Sequence, residues 1–167
     1  PFNCTLILLI AMADSTFLTL CENQHYDQKS LAKFQTAIAI AKEHLQQKKR
    51  LAGDTFFDHN LRVGTILAEN KAMPEVVLAG LLHGLAGEGQ MELIQKEFGS
   101  EVRMLIRGAD DIKQLKLRNK AMEPEGLRKV IFTTLRDIRV IILALANKLD
   151  NLRSLEVLPT AEQKRIA

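Results

Sequence analysis

The sequence predicts an all-α fold, and three observations support this prediction. The 167 residues include only four prolines and nine glycines, so long stretches contain no residue that breaks a helix. Apolar residues recur at three- and four-residue steps, which is the period of an amphipathic helix. Tryptophan is absent and aromatic residues make up 5% of the chain, so leucine, isoleucine, alanine and valine must supply most of the core. We expect one compact bundle of about eight helices.

The first expected element is an N-terminal apolar helix or leader over residues 1–19. Residues 5–13 are continuously apolar, but this run is far shorter than the ~20 residues that cross a bilayer. No basic residue precedes it, as one would in a signal peptide. We therefore expect a buried helix and no contact with a membrane. Residues 20–167 form the expected main domain, excised from a longer chain.

Three helices are predicted in the first half of this domain. Apolar residues between positions 29 and 49 follow the helical period, and Asp27 is the expected N-cap. A second helix is predicted over residues 61–69. Pro74 suits the first turn of a third helix, which should run to Leu85.

The second half predicts further helices around one polar interruption. Residues 91–98 are amphipathic, and another helix begins at residues 102–106. Residues 108–123 are rich in charge, which predicts a mobile loop or a frayed helix end. Pro124 could begin the next helix. Residues 140–149 are almost continuously apolar, so we expect them to form the central buried helix.

Composition narrows the possible partners and the compartment. A net charge of +3 and a pI near 9.0 are too mild to indicate nucleic-acid binding, and the basic residues between 113 and 120 have no aromatic residues among them. Cys4 and Cys21 have no metal-ligand spacing and do not form a disulfide framework. We therefore expect a cytoplasmic domain that does not bind nucleic acid directly.

The residues with the most chemical significance lie in four short segments. Residues 56–63 carry His59, residues 79–83 end in His83, and residues 98–102 read Phe-Gly-Ser-Glu-Val. The fourth segment, residues 137–155, includes Asp-Ile-Arg-Val and then Ala-Asn-Lys-Leu-Asp-Asn-Leu-Arg-Ser-Leu. Any one of these segments is weak evidence by itself, so their collinear order is the informative feature.

Together, the segments resemble the HD superfamily of metal-dependent phosphohydrolases. The closest resemblance is to the N-terminal hydrolase domain of RelA/SpoT-type (p)ppGpp synthetase/hydrolases, the GTP pyrophosphokinase family. That family has a Tyr-Ile-x-His-Pro-like motif around the first histidine and Ala-Ala-Leu-Leu-His-Asp around the second. Its late segment reads Asp-Met-Arg-Val, then Ala-Asp-Arg-Leu-His-Asn-Met-Arg-Thr-Leu. The resemblance implies an HD-like helical bundle.

The resemblance also implies a metal site that this chain has partly lost. Active members hold Mn²⁺ with two histidines and two aspartates, and the ion activates the water that removes a 3′-pyrophosphate. His59 and His83 match the histidines, whereas Gly84 and Asn147 replace the aspartates. The acidic pair that handles water in active members corresponds to Gly87 and Glu88, so Glu88 is the only candidate catalytic residue left.

The nucleotide pocket implied by the resemblance is partly retained. Arg50 matches a basic residue that members use against the guanine nucleotide, but Leu51 replaces the lysine beside it. Asn151 and Arg153 match the late pocket motif. Asn60 replaces the proline that follows the first histidine.

Three hypotheses follow from these losses. The first is a degenerate, hydrolytically silent domain without a cofactor, which has a structural or regulatory role beside a downstream synthetase domain of the same chain. The second is an active, Mn²⁺-dependent ppGpp 3′-pyrophosphohydrolase whose metal site is rewired through Asp58, Glu88 or Asp150. The third is a module that senses (p)ppGpp or GTP through Arg50, Asn151 and Arg153 without cleaving it.

Overall fold

A computed structural model describes residues 4–118, 137–155 and 163, without the side chains of residues 4–13, 87–88 and 115–118. Within these residues the chain forms seven α-helices and one 3₁₀ helix, and its only β pairing is an isolated bridge between Lys49 and Thr55. The all-α prediction is therefore confirmed. The helix expected from Pro124 lies outside the described residues.

The helices follow one another with short connections. In chain order they are α1 (Cys4–Asn23), α2 (Gln28–Leu45), α3 (Phe56–Glu69), α4 (Pro74–Leu82), the 3₁₀ helix (His83–Glu88), α5 (Met91–Phe98), α6 (Ser100–Arg118) and α7 (Ile138–Arg153). None of the described helices is long and apolar enough to cross a membrane. Helix α1 continues through position 19, so the expected boundary there stays a prediction.

Local hydrogen bonds fix where two of these helices begin. Asp27 accepts a hydrogen bond from the backbone N–H of Ser30 at 2.8 Å, which confirms it as the N-cap of α2. Helix α3 begins at Phe56, five residues earlier than predicted, because Thr55 and Asp58 form a capping box. This earlier start places His59 inside the first turns of α3.

Helix α4 is the centre of the fold. Its residues from Val76 to Leu82 are all buried, and it contacts α2, α3, α6 and α7. The expectation that residues 140–149 form the central helix is wrong. One face of α7 is buried through Val140, Leu143 and Ala146, but Leu145 on the other face is 63% exposed.

The prediction of a loop or frayed end over residues 108–123 is wrong for the described part of that range. Helix α6 continues without interruption to Arg118, because its apolar face packs on the core through buried Ile106 and Ile112. Gly108 lets α7 approach closely, since a Cβ at this position would lie 2.9 Å from both methyl groups of Val140. Tertiary packing therefore stabilises a helix whose composition is largely polar.

Candidate functional site

The two histidines singled out in the sequence meet between α3 and the end of α4. His59 lies in the first half of α3, and His83 follows α4 as the first residue of the 3₁₀ helix. Their Nε2 atoms are 3.3 Å apart and the rings meet edge to face. The structure therefore places these two residues together, as the resemblance implies.

Hydrogen bonds at the other ring nitrogens set the orientation of both imidazoles. His83 Nδ1 lies 2.8 Å from the carbonyl oxygen of Gly80 and must donate, because that oxygen can only accept. Burial, together with the neighbouring charge of His59, lowers the pKa of His83 to about 3. His83 is therefore neutral, and its Nε2 lone pair faces His59.

Asp150 holds His59 from the opposite side. Its Oδ2 lies 2.6 Å from His59 Nδ1, and its two oxygens accept from Arg62 Nε at 2.7 Å and Arg62 Nη2 at 3.1 Å. The carboxylate is 2% exposed. Burial raises its pKa, but the hydrogen bonds from His59 and Arg62 and the charge of Arg62 hold the pKa well below its ordinary range. Asp150 is therefore an ionised buried carboxylate.

Asp150, which the sequence suggests as a substitute for a lost metal ligand, contacts the imidazole of His59. A carboxylate that accepts from Nδ1 supports the ring from behind, as an outer partner does in many metal sites. Asp150 contacts His59 at the nitrogen opposite the one that faces His83. The late segment of the family pattern has histidine at this position, so the carboxylate is a departure from the pattern as well.

The three residues expected to contact a nucleotide fall into two groups. Arg50 Nη2 donates to Asn151 Oδ1 at 2.6 Å, and Asn151 Nδ2 donates to Asn147 Oδ1 at 3.2 Å. Arg50 Nη1 also donates to Asp54 Oδ2 at 2.9 Å. Arg153 is exposed. Arg50 and Asn151 are thus engaged within the protein, whereas Arg153 faces solvent.

Asp54 connects these contacts to the histidine pair. Its Oδ2 accepts from Arg62 Nη2 at 2.5 Å as well as from Arg50. Burial raises the pKa of Asp54, but these two arginines lower it by more. The result is a continuous network in which two guanidinium groups bridge two carboxylates, and it reaches from His59 to Asn147.

An open cleft of about 400 Å³ lies along this network. It is lined by Ala52, Asp54, Arg62, Thr65, Ile66, Glu69, Asp150, Arg153 and Ser154. Two basic and three acidic side chains therefore border it. The cleft is large enough for a small polar ligand.

The described donors do not fit the four-ligand metal site that the resemblance implies. Among these donors, only the two imidazoles are spaced as ligands of one ion would be, because two nitrogens bound side by side to one ion lie about 3.0–3.4 Å apart.

The positions expected to supply carboxylates do not do so. A Cβ at Gly84 would lie 3.0 Å from both terminal atoms of the Asn60 side chain, and the side-chain oxygen of Asn147 accepts from Asn151. Asp58 is engaged in the capping box, and the side chain of Glu88 lies outside the described residues. Across the described side chains, no three histidine, cysteine, aspartate or glutamate residues are grouped to bind a metal.

Sequence patterns do not indicate Asp54 or Arg62 as site residues, and they suggest Asp150 as a substitute metal ligand. The structure places the Asp150 carboxylate at His59 Nδ1. Arg62 follows His59 by three residues on the same helix, so their proximity could have been anticipated. The pairing of both residues with Asp150 could not, because that residue lies 88 positions beyond Arg62.

Most of the chain is similar in sequence to known proteins. The HD domain family profile matches residues 37–167. The chain is 34% identical to the guanosine-3′,5′-bis(diphosphate) 3′-pyrophosphohydrolase of Aquifex aeolicus over 145 residues, which is 86% of this chain and 20% of that protein. It is 30% identical over 143 residues both to the GTP pyrophosphokinase of Streptomyces coelicolor and to the bifunctional (p)ppGpp synthase/hydrolase SpoT of Escherichia coli. These matches cover 84% of this chain, and 17% and 20% of the two relatives. The chain thus spans about a fifth of the length of these relatives.

Proposed function

The chain belongs to the HD domain family and is similar to the RelA/SpoT-type proteins in it, and from this premise we propose that it is a hydrolytically silent member. Its role would be structural or regulatory, within a longer cytoplasmic protein that acts in (p)ppGpp metabolism and carries a synthetase domain. The observation on which the proposal depends is the donor set, in which His59 and His83 have no carboxylate beside their facing nitrogens among the described side chains.

The charges around the histidines also support this proposal. A divalent ion needs anionic ligands to offset its charge, and manganese in particular prefers oxygen donors. Among the described side chains, Asp150 is the one carboxylate in contact with the pair. It is already neutralised by Arg62 and lies 3.7 Å from Arg50 Nη1. Two guanidinium groups at this distance oppose a further positive charge. Arg62 and Arg50 thus already place beside Asp150 the positive charge that a bound ion would bring.

A direct assay of metal and turnover tests the silent assignment. The chain would be incubated with ppGpp and Mn²⁺, and pyrophosphate release and protein-bound manganese would be measured. The A. aeolicus relative is the matched positive control. We expect release at the protein-free background and no stoichiometric manganese. Release at a rate comparable to that of the relative would overturn the proposal and favour the rewired hydrolase.

Nucleotide sensing is the second candidate, and the open cleft beside Arg153 favours it. Arg153 and Arg62 both line this cleft, and a guanidinium group is well suited to bind phosphate. Arg50 and Asn151 could take part only if their bond to each other opened. Calorimetry with ppGpp would test this role by comparing the unaltered chain with Arg153→Ala. Arg107→Ala, at an exposed position on α6, is the control, and equal affinity in all three proteins would exclude this arrangement.

A further inference from the structure

We propose that Asn60 fills the space in which a side chain at position 84 would lie, so that Asn60 and Gly84 form a compensated pair. On this proposal, restoring an aspartate at position 84 cannot by itself rebuild a metal ligand. The inference rests on the proposed function, because it explains how a silent site is closed. It adds Asn60, a residue that the loss of metal ligands does not by itself identify.

Asn60 and Leu45 pack closely around Gly84. A Cβ built on Gly84 would lie 3.0 Å from Asn60 Nδ2, 3.0 Å from Asn60 Oδ1 and 3.1 Å from Leu45 Cδ1. Contacts this short are closer than ordinary van der Waals contact between such atoms. An aspartate would place its carboxylate beyond that Cβ. A side chain at position 84 would therefore require Asn60 and Leu45 to move by a few tenths of an ångström.

Asn60 cannot easily move aside. It is fully buried, and its Nδ2 donates to the carbonyl oxygen of Leu81 at 2.9 Å. Rotating the amide group away from Gly84 would break this buried bond, which costs free energy. Leu45 is also almost fully buried, so the neighbour on the other side has little freedom.

The hydrogen bonding of Asn60 agrees with a space-filling role. Its Oδ1 is buried and has no hydrogen-bond partner among the described residues. A buried acceptor without a partner opposes folding, so the amide group is only half satisfied where it lies. Among the described residues, two features favour this placement of the Asn60 side chain: it fills the volume beside Gly84, and it donates one hydrogen bond to Leu81.

A double-mutant cycle on stability tests the pair without reference to activity. The four proteins are the unaltered chain, Gly84→Ala, Asn60→Ala and the double variant, and urea unfolding would be followed by circular dichroism at 222 nm. We expect Gly84→Ala to raise the equilibrium constant for unfolding about tenfold when Asn60 is present. In the Asn60→Ala background the same change should raise it less than about threefold, because only the Leu45 contact remains.

Gly108→Ala is the matched control. Its Cβ would also meet a neighbour at 2.9 Å, but that neighbour is Val140 on α7. We therefore expect the same effect of Gly108→Ala with and without Asn60. Equal effects of Gly84→Ala in the two backgrounds would overturn the proposal. If Gly84→Ala does not fold, the double variant should fold, and its failure to fold would likewise count against the pair.

Manganese binding gives a second measurement. Gly84→Asp combined with Asn147→Asp would be compared with the triple variant that also carries Asn60→Ala, and free Mn²⁺ would be followed by electron paramagnetic resonance. We expect the triple variant to bind and the double variant not to bind. Binding by the double variant would overturn the role of Asn60. Failure of the silent assignment would instead show as turnover or manganese binding by the unaltered chain.

Discussion

Replacing Asp150 by asparagine tests whether the buried network stabilises this fold. The change keeps the shape of the side chain but removes the charge that His59 Nδ1 and Arg62 share at 2.6 and 2.7 Å. It also places an N–H group where an oxygen now accepts, so one donor must face another. Either His59 or Arg62 would then lose its acceptor at this position, although Arg62 keeps its bond to Asp54.

The burial of Asp150 and Arg62 sets the expected loss of unfolding free energy. Removing one partner of a buried ion pair costs about 3–5 kcal/mol of unfolding free energy. Asp150 is 2% exposed, but the side chain of Arg62 is 43% exposed, so water screens part of its charge. We therefore expect about 3 kcal/mol, which corresponds to a fall of roughly 6–12 °C in Tm for a domain of this size.

The loss should also depend on pH with a definite sign. The pKa of Asp150 is lower in the folded state than its ordinary value, so its contribution is complete above the unfolded pKa of about 3.9 and is lost as pH falls towards the folded pKa. Above that unfolded pKa, the ionisation of Asp150 itself adds no pH dependence to the deficit of Asp150→Asn. At pH 3 the deficit should be smaller by about 1 kcal/mol.

Urea unfolding followed by circular dichroism at pH 7, 5 and 3 would measure these differences. Asp111→Asn, on the exposed surface of α6, is the control and should change stability by less than about 0.5 kcal/mol. A loss below 1 kcal/mol for Asp150→Asn at pH 7 would refute the reasoning, as would a deficit that does not shrink between pH 5 and pH 3.

Three further predictions concern other parts of the fold. Thr55→Ala should lower the unfolding free energy by about 1 kcal/mol, because it removes the capping bond to the Asp58 N–H; urea unfolding measures this loss. Burial, with the charge of Cys21, raises the pKa of Tyr26 to about 12. Because the chain has one tyrosine, absorbance at 295 nm should show its ionisation well above the usual ~10, with stability falling as pH rises through this range. Gly108→Ala should lower the unfolding free energy by about 1–3 kcal/mol because Val140 blocks its Cβ, and an unchanged urea midpoint would contradict this close packing.

The features predicted correctly are those that neighbouring residues determine. The apolar stripe of α2 and its cap at Asp27 follow from the helical period and one local hydrogen bond. The start of α3 lies five residues before the predicted one, and its signal is also local, in the Thr55–Asp58 capping box. Residues 108–118 show the limit of composition, since a mostly polar segment is helical where a single apolar face packs on the core.

In the site, too, the order of motifs predicted some contacts, and tertiary packing decided others. The meeting of His59 and His83 was implied by the order of motifs that the chain shares with its family, and the structure places their nitrogens in contact. The partners of Arg50 were not implied. The sequence indicated a nucleotide contact, but the structure pairs this arginine with Asp54 and with Asn151, which lies 101 residues away.

By itself the sequence determined the fold class, the family, the histidine pair and the absence of carboxylates at Gly84 and Asn147. Helical period and motif order are properties of short segments, so they can be recognised before the chain is folded. Only the tertiary structure decided that Asp150 supports His59 at Nδ1 and that Asn60 occupies the space beside Gly84. Charge pairing and close packing depend on which distant residues share one buried volume, and that volume exists only once the helices have packed.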